Sequence, residues 1–376
     1  MDSYHLSNYN DVNNNCKGGH IMRKCYVDNI RWATVLLVVI YHVIMVFSGI
    51  IPGIGLPFQD VQIQDGIMYL LYPWFMILLF IVSGMSSRYY LEKHSLKEFV
   101  RARTRKLLVP STVGVLVTGC LQGYISMSIA NAFDTLPDNM SKPILVLIMI
   151  LSGQGVLWFV QMLWIFSMLL ALIRRFEKGK LFALTERLPV AVIVLLGIPL
   201  WLSGFALNAP VVTVYRFGIY SYAFFTGYFI FAHDQVIERI SRRKEIFIVA
   251  AVILGILFLH SHFGENFAVM PLVNSAEAVS FAWAAILAIF GSAYVWADTY
   301  GRVSNFMNSR SFGMYIFHYI CVTGTALVLR RYSGLGELPC YLLTVAAGIA
   351  GSILLYEIIS RLPILKWCLL GMERRK

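Results

Sequence analysis

The chain has 376 residues, of which 58% are hydrophobic and only 14% charged, with a mean hydropathy of +0.69. A soluble domain of this length cannot hide so much apolar surface, whereas a helical protein that crosses a membrane many times requires it. The net charge of +11 would suit nucleic acid, but the basic residues gather in short loops between apolar runs. That is the pattern of positive-inside topology, so the expected partner is the lipid bilayer and not nucleic acid.

In chain order, residues 1–22 are polar and Asn-rich and read as a disordered tail. Residues 23–360 form one membrane domain, and residues 361–376 read as a basic cytoplasmic tail. No short apolar stretch with a small-residue cleavage site opens the chain, so the first span reads as an uncleaved anchor. Apolar segments of spanning length fall at 30–51, 67–86, 107–129, 155–173, 189–207, 215–232, 246–262, 277–298, 311–329 and 338–358. The expectation is an all-α polytopic protein of about ten spans. The run 143–151 is too short to cross and reads as a re-entrant or interfacial helix leading into the fourth span. With the N-terminus inside, the inner segments hold 27 of the 31 Lys and Arg and the outer loops 4, which places both termini in the cytoplasm. Six scattered cysteines suggest neither a disulfide framework nor a zinc site, and no resident metal or permanently bound cofactor is expected.

The first span carries the chemistry. In Tyr26-Val-Asp-Asn-Ile-Arg31-Trp-Ala-Thr-Val-Leu-Leu-Val-Val-Ile-Tyr-His42 an imidazole lies inside an apolar helix, and ionisable groups at membrane depth mark functional sites by default. At 100° per residue, the eleven-residue step from Arg31 to His42 returns to within about 20° of one helix face. His42 then lies roughly 16 Å deeper than Arg31. Asp28 falls on the same face, one turn before Arg31, where an i,i+3 pair would orient the guanidinium. From position alone, His42 is equally a satisfied core histidine between helices, and Arg31 a membrane-surface anchor.

The loop after the second span holds seven cations within residues 88–106, four of them between Arg101 and Lys106. Such a cluster suits a polyanion such as the phosphates of a nucleotide cofactor. It equally suits a topological loop against anionic lipid. Ser83-Gly84 admits either close helix approach or a ligand role, Trp158 either an interface aromatic or the lining of an acyl channel. His318 admits a hydrogen bond to a neighbouring helix or a direct part on the substrate side. His260 and His262 diverge on a helix and make a poor metal pair.

Four stretches together resemble the acyltransferase-3 family of integral-membrane acyltransferases: YVDNIRWATVLLVVIYH at 26–42, WFMILLFIVSGMSSRYY at 74–90, FVRARTRKLLVP at 99–110 and SFGMYIFH at 311–318. The first is most similar to the branch that includes the glucan succinyltransferases. The resemblance implies transfer of an acyl group, usually acetyl from acetyl-CoA, to a hydroxyl of an extracytoplasmic saccharide at a bacterial cell membrane. It maps the catalytic histidine onto His42 and the arginine eleven residues before it onto Arg31. An inner-loop Arg-x-x-Arg element proposed to contact CoA phosphates maps onto Arg103 and Lys106. Lys106 keeps the charge but loses the bidentate fork, with Arg105 as its substitute. Val156 stands where a histidine often precedes Leu-Trp-Phe. Ser83 and Trp158 join the expected donor-binding set, and His318 the substrate side. The competing function is an uptake module of the same fold, as in family domains fused to a racemase, which this chain lacks.

Overall fold

The computed structural model describes residues 24–137, 139–177, 179–208 and 215–373; the segment read as an N-terminal tail lies outside them. Within the described residues the regular structure is helical, apart from an isolated bridge between Asn208 and Arg216. In chain order the helices are α1 (Cys25–Phe47), α2 (Ile63–Leu91), α3 (Leu96–Ile129), α4 (Lys142–Ser152), α5 (Gly155–Glu177), α6 (Lys180–Thr185), α7 (Val190–Ser203) and α8 (Phe217–Phe231). They continue with α9 (Asp234–Ser241), α10 (Lys244–His262), α11 (Ala276–Trp296), α12 (Arg302–Ser333), α13 (Glu337–Arg361) and α14 (Pro363–Leu370). Backbone groups in lipid must be satisfied within the segment, which is why even the Val- and Ile-rich α1 is helical.

Eight of these, α1, α2, α3, α5, α10, α11, α12 and α13, are long and apolar enough to cross a membrane. The chain is therefore an all-α, multi-pass membrane protein. The segments expected to span at 189–207 and 215–232 are the shorter helices α7 and α8, the first broken after Leu195 and the second ending in a π turn. Burial separates centre from rim: 72% of the apolar window of α2 is enclosed, against 17% for α10.

Glycine decides the closest approaches. A Cβ on Gly84 would lie 2.0 Å from the Phe224 carbonyl oxygen, and one on Gly227 would lie 2.1 Å from that of Ile81, so α2 and α8 touch backbone to backbone. A Cβ on Gly123 would similarly strike Met149 of α4. α4 thus packs along α3, and the chain breaks at Gly153–Leu157 before entering α5. At 11 residues, α4 is below spanning length, as the short apolar run 143–151 suggests.

The start of α1 is gripped by the loop before α12. The Tyr26 amide donates to Asp298 Oδ1 at 3.0 Å, and Asn29 Nδ2 donates to the carbonyls of Ala297 at 2.7 Å and Thr299 at 2.9 Å. α1 and α12 then pack along each other. The segment expected as a C-terminal tail contains α14, whose Cys368, Leu369 and Leu370 are buried, and α14 packs on α3.

Candidate active site

His42 of α1 meets His318 of α12. His318 Nε2 lies 3.3 Å from His42 Nδ1, with ring centroids 5.0 Å apart. His42 Nδ1 is also 2.8 Å from the Val38 carbonyl, and His318 Nδ1 is 2.8 Å from the Tyr315 carbonyl and 3.2 Å from that of Met314. Carbonyls only accept, so in the neutral rings each Nδ1 carries the hydrogen, a tautomer assigned from this network. His42 Nδ1–H is then shared between Val38 O and the lone pair of His318 Nε2. The remaining lone pair of His42, on Nε2, meets no partner among the described residues and is left for chemistry. His318 is fully enclosed, while His42 is only half-buried.

Tyrosines wall this pair. Tyr41 and Tyr319 meet the His42 ring edge-on at 5.1 and 5.2 Å, and Tyr72 stacks on Tyr41 at 5.7 Å. The break before α5 is pinned to the same turn of α12, because the Tyr315 hydroxyl donates to the Val156 carbonyl at 2.8 Å. Trp158 lies half-buried one layer out, 5.6 Å from Tyr220 and 6.3 Å from Tyr215. It belongs to this aromatic chamber and makes no contact with the cations expected to share its ligand.

Those cations gather at the other end of α1. Asp28 accepts from Arg31 at 3.0 Å, and its second oxygen is held by the Tyr300 hydroxyl, so the buried carboxylate fixes the guanidinium as the i,i+3 spacing predicts. Arg31 also donates to Ser86 Oγ at 2.8 Å, while Arg103 of α3 donates to Ser87 Oγ at 3.0 Å. Both hydroxyls in turn donate to carbonyls four residues earlier, Val82 and Ser83. Two adjacent serines thus seat two arginines from different helices side by side, and Arg103, Lys106 and Arg31 lie within one another's field. The Ser83 hydroxyl donates to the Leu79 carbonyl at 2.7 Å and, among the described residues, bonds no cation.

A π turn at Thr104–Leu108 splits the basic run. It leaves Arg103 facing Ser87 of α2, sets the Lys106 ammonium over Phe312 of α12 at 5.6 Å, and turns Arg105 to an ion pair with Glu373. π turns recur at functional sites. Arg105 has its own counterion, whereas among the described residues neither Arg103 nor Lys106 pairs with a carboxylate. Beside them opens a cavity of about 660 Å³ lined by Lys24, Asp28, Arg31, Ser86, Tyr89 and Lys93, among others. Lys24 faces Asp234 there at 2.5 Å. No group of three His, Cys, Asp or Glu among the described residues is arranged to hold a metal ion.

The spacing of Arg31 and His42 was readable from the chain; Ser86, Ser87, Tyr300 and Tyr319 were not singled out. Their one local signal is the Ser86-Ser87 pair, whose 100° offset on a helix lets neighbours serve two partners.

A polytopic bundle with clustered cations beside a charged cavity at one end and an imidazole pair inside fits a membrane transferase. Over residues 26–357 the sequence matches the acyltransferase-3 family, described as an acyltransferase domain, and the chain belongs to that family. It is a membrane acyltransferase. No curated protein and no solved structure matches it.

Proposed function

We propose that the protein transfers an acyl group, acetyl in the first instance, from cytosolic acyl-CoA to a hydroxyl of a cell-envelope saccharide in a bacterial cell membrane. The observation that carries this reading is the tautomer-fixed His42, whose Nε2 lone pair is free while Nδ1 is held by Val38 and His318. Acyl transfer to an alcohol needs a base for the hydroxyl proton or a nucleophile that briefly carries the acyl group, and an imidazole nitrogen does either.

As base, Nε2 takes the proton while the alcohol oxygen attacks the thioester carbonyl, and the imidazolium returns that proton to the departing thiolate. As carrier, Nε2 attacks the carbonyl first and the thiolate leaves; the alcohol oxygen then displaces the ring from the acyl group, and the hydroxyl proton passes by way of the freed Nε2 to the thiolate. In both cases positive charge develops on the His42 ring, and the lone pair of His318 Nε2 lies beside the Nδ1–H that strengthens as an acid. Arg31, Arg103 and Lys106 supply the charge for the donor's phosphates. Arg103 and Lys106 are better suited than the cavity lysine Lys24, whose charge Asp234 already offsets. Roughly 16 Å of α1 separates this anchor from His42, a distance for the donor's flexible arm to cover. Arg105, committed to Glu373, has the smaller part.

The reading is tested in proteoliposomes with labelled acetyl-CoA on one face and oligosaccharide on the other. Ester label reaching the acceptor only when donor and acceptor lie on opposite faces supports it. Solute uptake without ester formation would instead favour an uptake module, and transfer confined to substrates sharing one face would remove the transmembrane relay.

A further inference from the structure

Arg216, which opens α8, is a charged side chain that the chemistry above does not use. It is 6% exposed, and among the described residues no carboxylate pairs with it. Its partners are neutral: Nη2 donates to the Asn274 amide oxygen Oδ1 at 3.0 Å and the Tyr220 hydroxyl lies beside it, while its Nε–H has no partner among the described residues. Asn274 is held in place: its backbone carbonyl accepts from the Trp201 indole at 3.1 Å, its Nδ2 donates to the Trp201 carbonyl at 3.4 Å, and its side chain packs against Gly204. Against the guanidinium stands Tyr220, whose ring centre is 5.9 Å away and which packs on Trp158 at 5.6 Å. Through Tyr220 and Trp158, Arg216 borders the aromatic chamber beside the imidazole pair.

An uncompensated buried cation is costly, and a structure retains one where something anionic completes it. Two other loop arginines, Arg330 and Arg331, are already satisfied. Arg330 donates to the Leu56 and Pro57 carbonyls, and Arg331 to Ser128 and Asn131. Arg216 is alone among them in being buried with an open donor. It also lies at the end of α8 opposite to Phe231, which leads into Asp234 and the donor-side cavity.

We propose that Arg216 recognises an anionic group, a carboxylate or phosphate, carried by the acceptor near the hydroxyl that is acylated. This rests on the acyl-transfer reading and narrows it from saccharides in general to acidic ones. The planar guanidinium fork suits both anions, and the flanking tyrosines and Trp158 offer faces for sugar rings.

The test compares acyl transfer from acetyl-CoA to a glucuronate-bearing oligosaccharide, its 6-phosphate counterpart and the neutral glucose form. Wild type should favour an anionic acceptor in kcat/KM by tenfold or more. Arg216→Gln should bring that ratio to about one, and Arg216→Lys should retain part of it. Asn274→Asp, which supplies an internal counterion, should level the ratio while raising the Tm, so a folding defect cannot imitate the result. Equal rates for all acceptors in wild type, or a ratio that survives R216Q, would overturn the proposal. So would a charge preference that follows the acyl group when succinyl-CoA is compared with butyryl-CoA. Equilibrium binding of the same oligosaccharides separates the two readings. Selective binding of the acidic forms, lost in R216Q, upholds Arg216 even if no transfer occurs, and absence of that selectivity ends the proposal whatever the catalytic result.

Discussion

His318 presents its Nε2 lone pair to Nδ1 of His42 at 3.3 Å, across 276 residues of sequence. The backbone carbonyls of Val38 and Tyr315 fix both tautomers, so the pair works in one direction: His318 supports, His42 reacts. His318→Ala should lower kcat by about ten- to a hundredfold with little change in KM for either substrate, as expected when an orienting partner of a catalytic imidazole is lost. His318→Gln, which restores a polar side chain, should recover part of the rate. An effect confined to KM would move His318 from support of charge to substrate binding.

Ser87 seats Arg103 and Ser86 seats Arg31. A hydrogen bond to a charged group contributes about 1.5–3 kcal/mol, so Ser87→Ala should raise the KM for acyl-CoA by about tenfold and leave the acceptor KM unchanged. Arg103→Glu should raise the donor KM further. Donor kinetics unaltered in both variants would remove Arg103 from phosphate binding.

Asp28 holds Arg31 and is itself held by Tyr300. Asp28→Asn keeps a hydrogen-bonding side chain but removes the charge that fixes the guanidinium. The expected outcome is a weaker donor interaction with an intact fold, read as a raised donor KM at unchanged Tm in detergent. Tyr300→Phe should move in the same direction by a smaller amount.

Gly84 and Gly227 meet the facing backbones with no room for a methyl group. Gly84→Ala should therefore cost at least the roughly 1–3 kcal/mol of an overpacked core, seen as a lower Tm or reduced yield of folded protein. Ser83→Ala next to it, which removes a hydroxyl bonded to its own helix, should change stability and donor KM little.

Much of the fold was legible because lipid imposes a simple rule on sequence: long apolar runs become helices. That rule located α1, α2, α3, α5 and α10–α13, and it marked 143–151 as too short. It also marked the segments around α7 and α8, where total apolarity reaches spanning length while the helix breaks at Leu195 or gives way to a π turn at Gly227. Within one helix, spacing carried real geometry, since Asp28, Arg31 and His42 follow from a 100° step. Contacts between helices did not. Nothing in the chain pairs His42 with His318, or assigns Ser86 and Ser87 rather than Ser83 to the arginines, because those choices depend on which helices become neighbours. Trp158 illustrates the same limit: its apolar context suggested a ligand channel, but only the packing puts it with Tyr215 and Tyr220 instead of the donor cations.

The most direct test uses purified wild type and His42→Ala in proteoliposomes supplied with labelled acetyl-CoA, with the acceptor saccharides weighed for added acyl mass. Loss of a general base or nucleophile predicts a fall in transfer of about a hundred- to ten-thousandfold, with the protein still folded and still binding acyl-CoA. Equal acyl gain with both proteins would contradict the role of His42 and, with it, the mechanism proposed for this bundle.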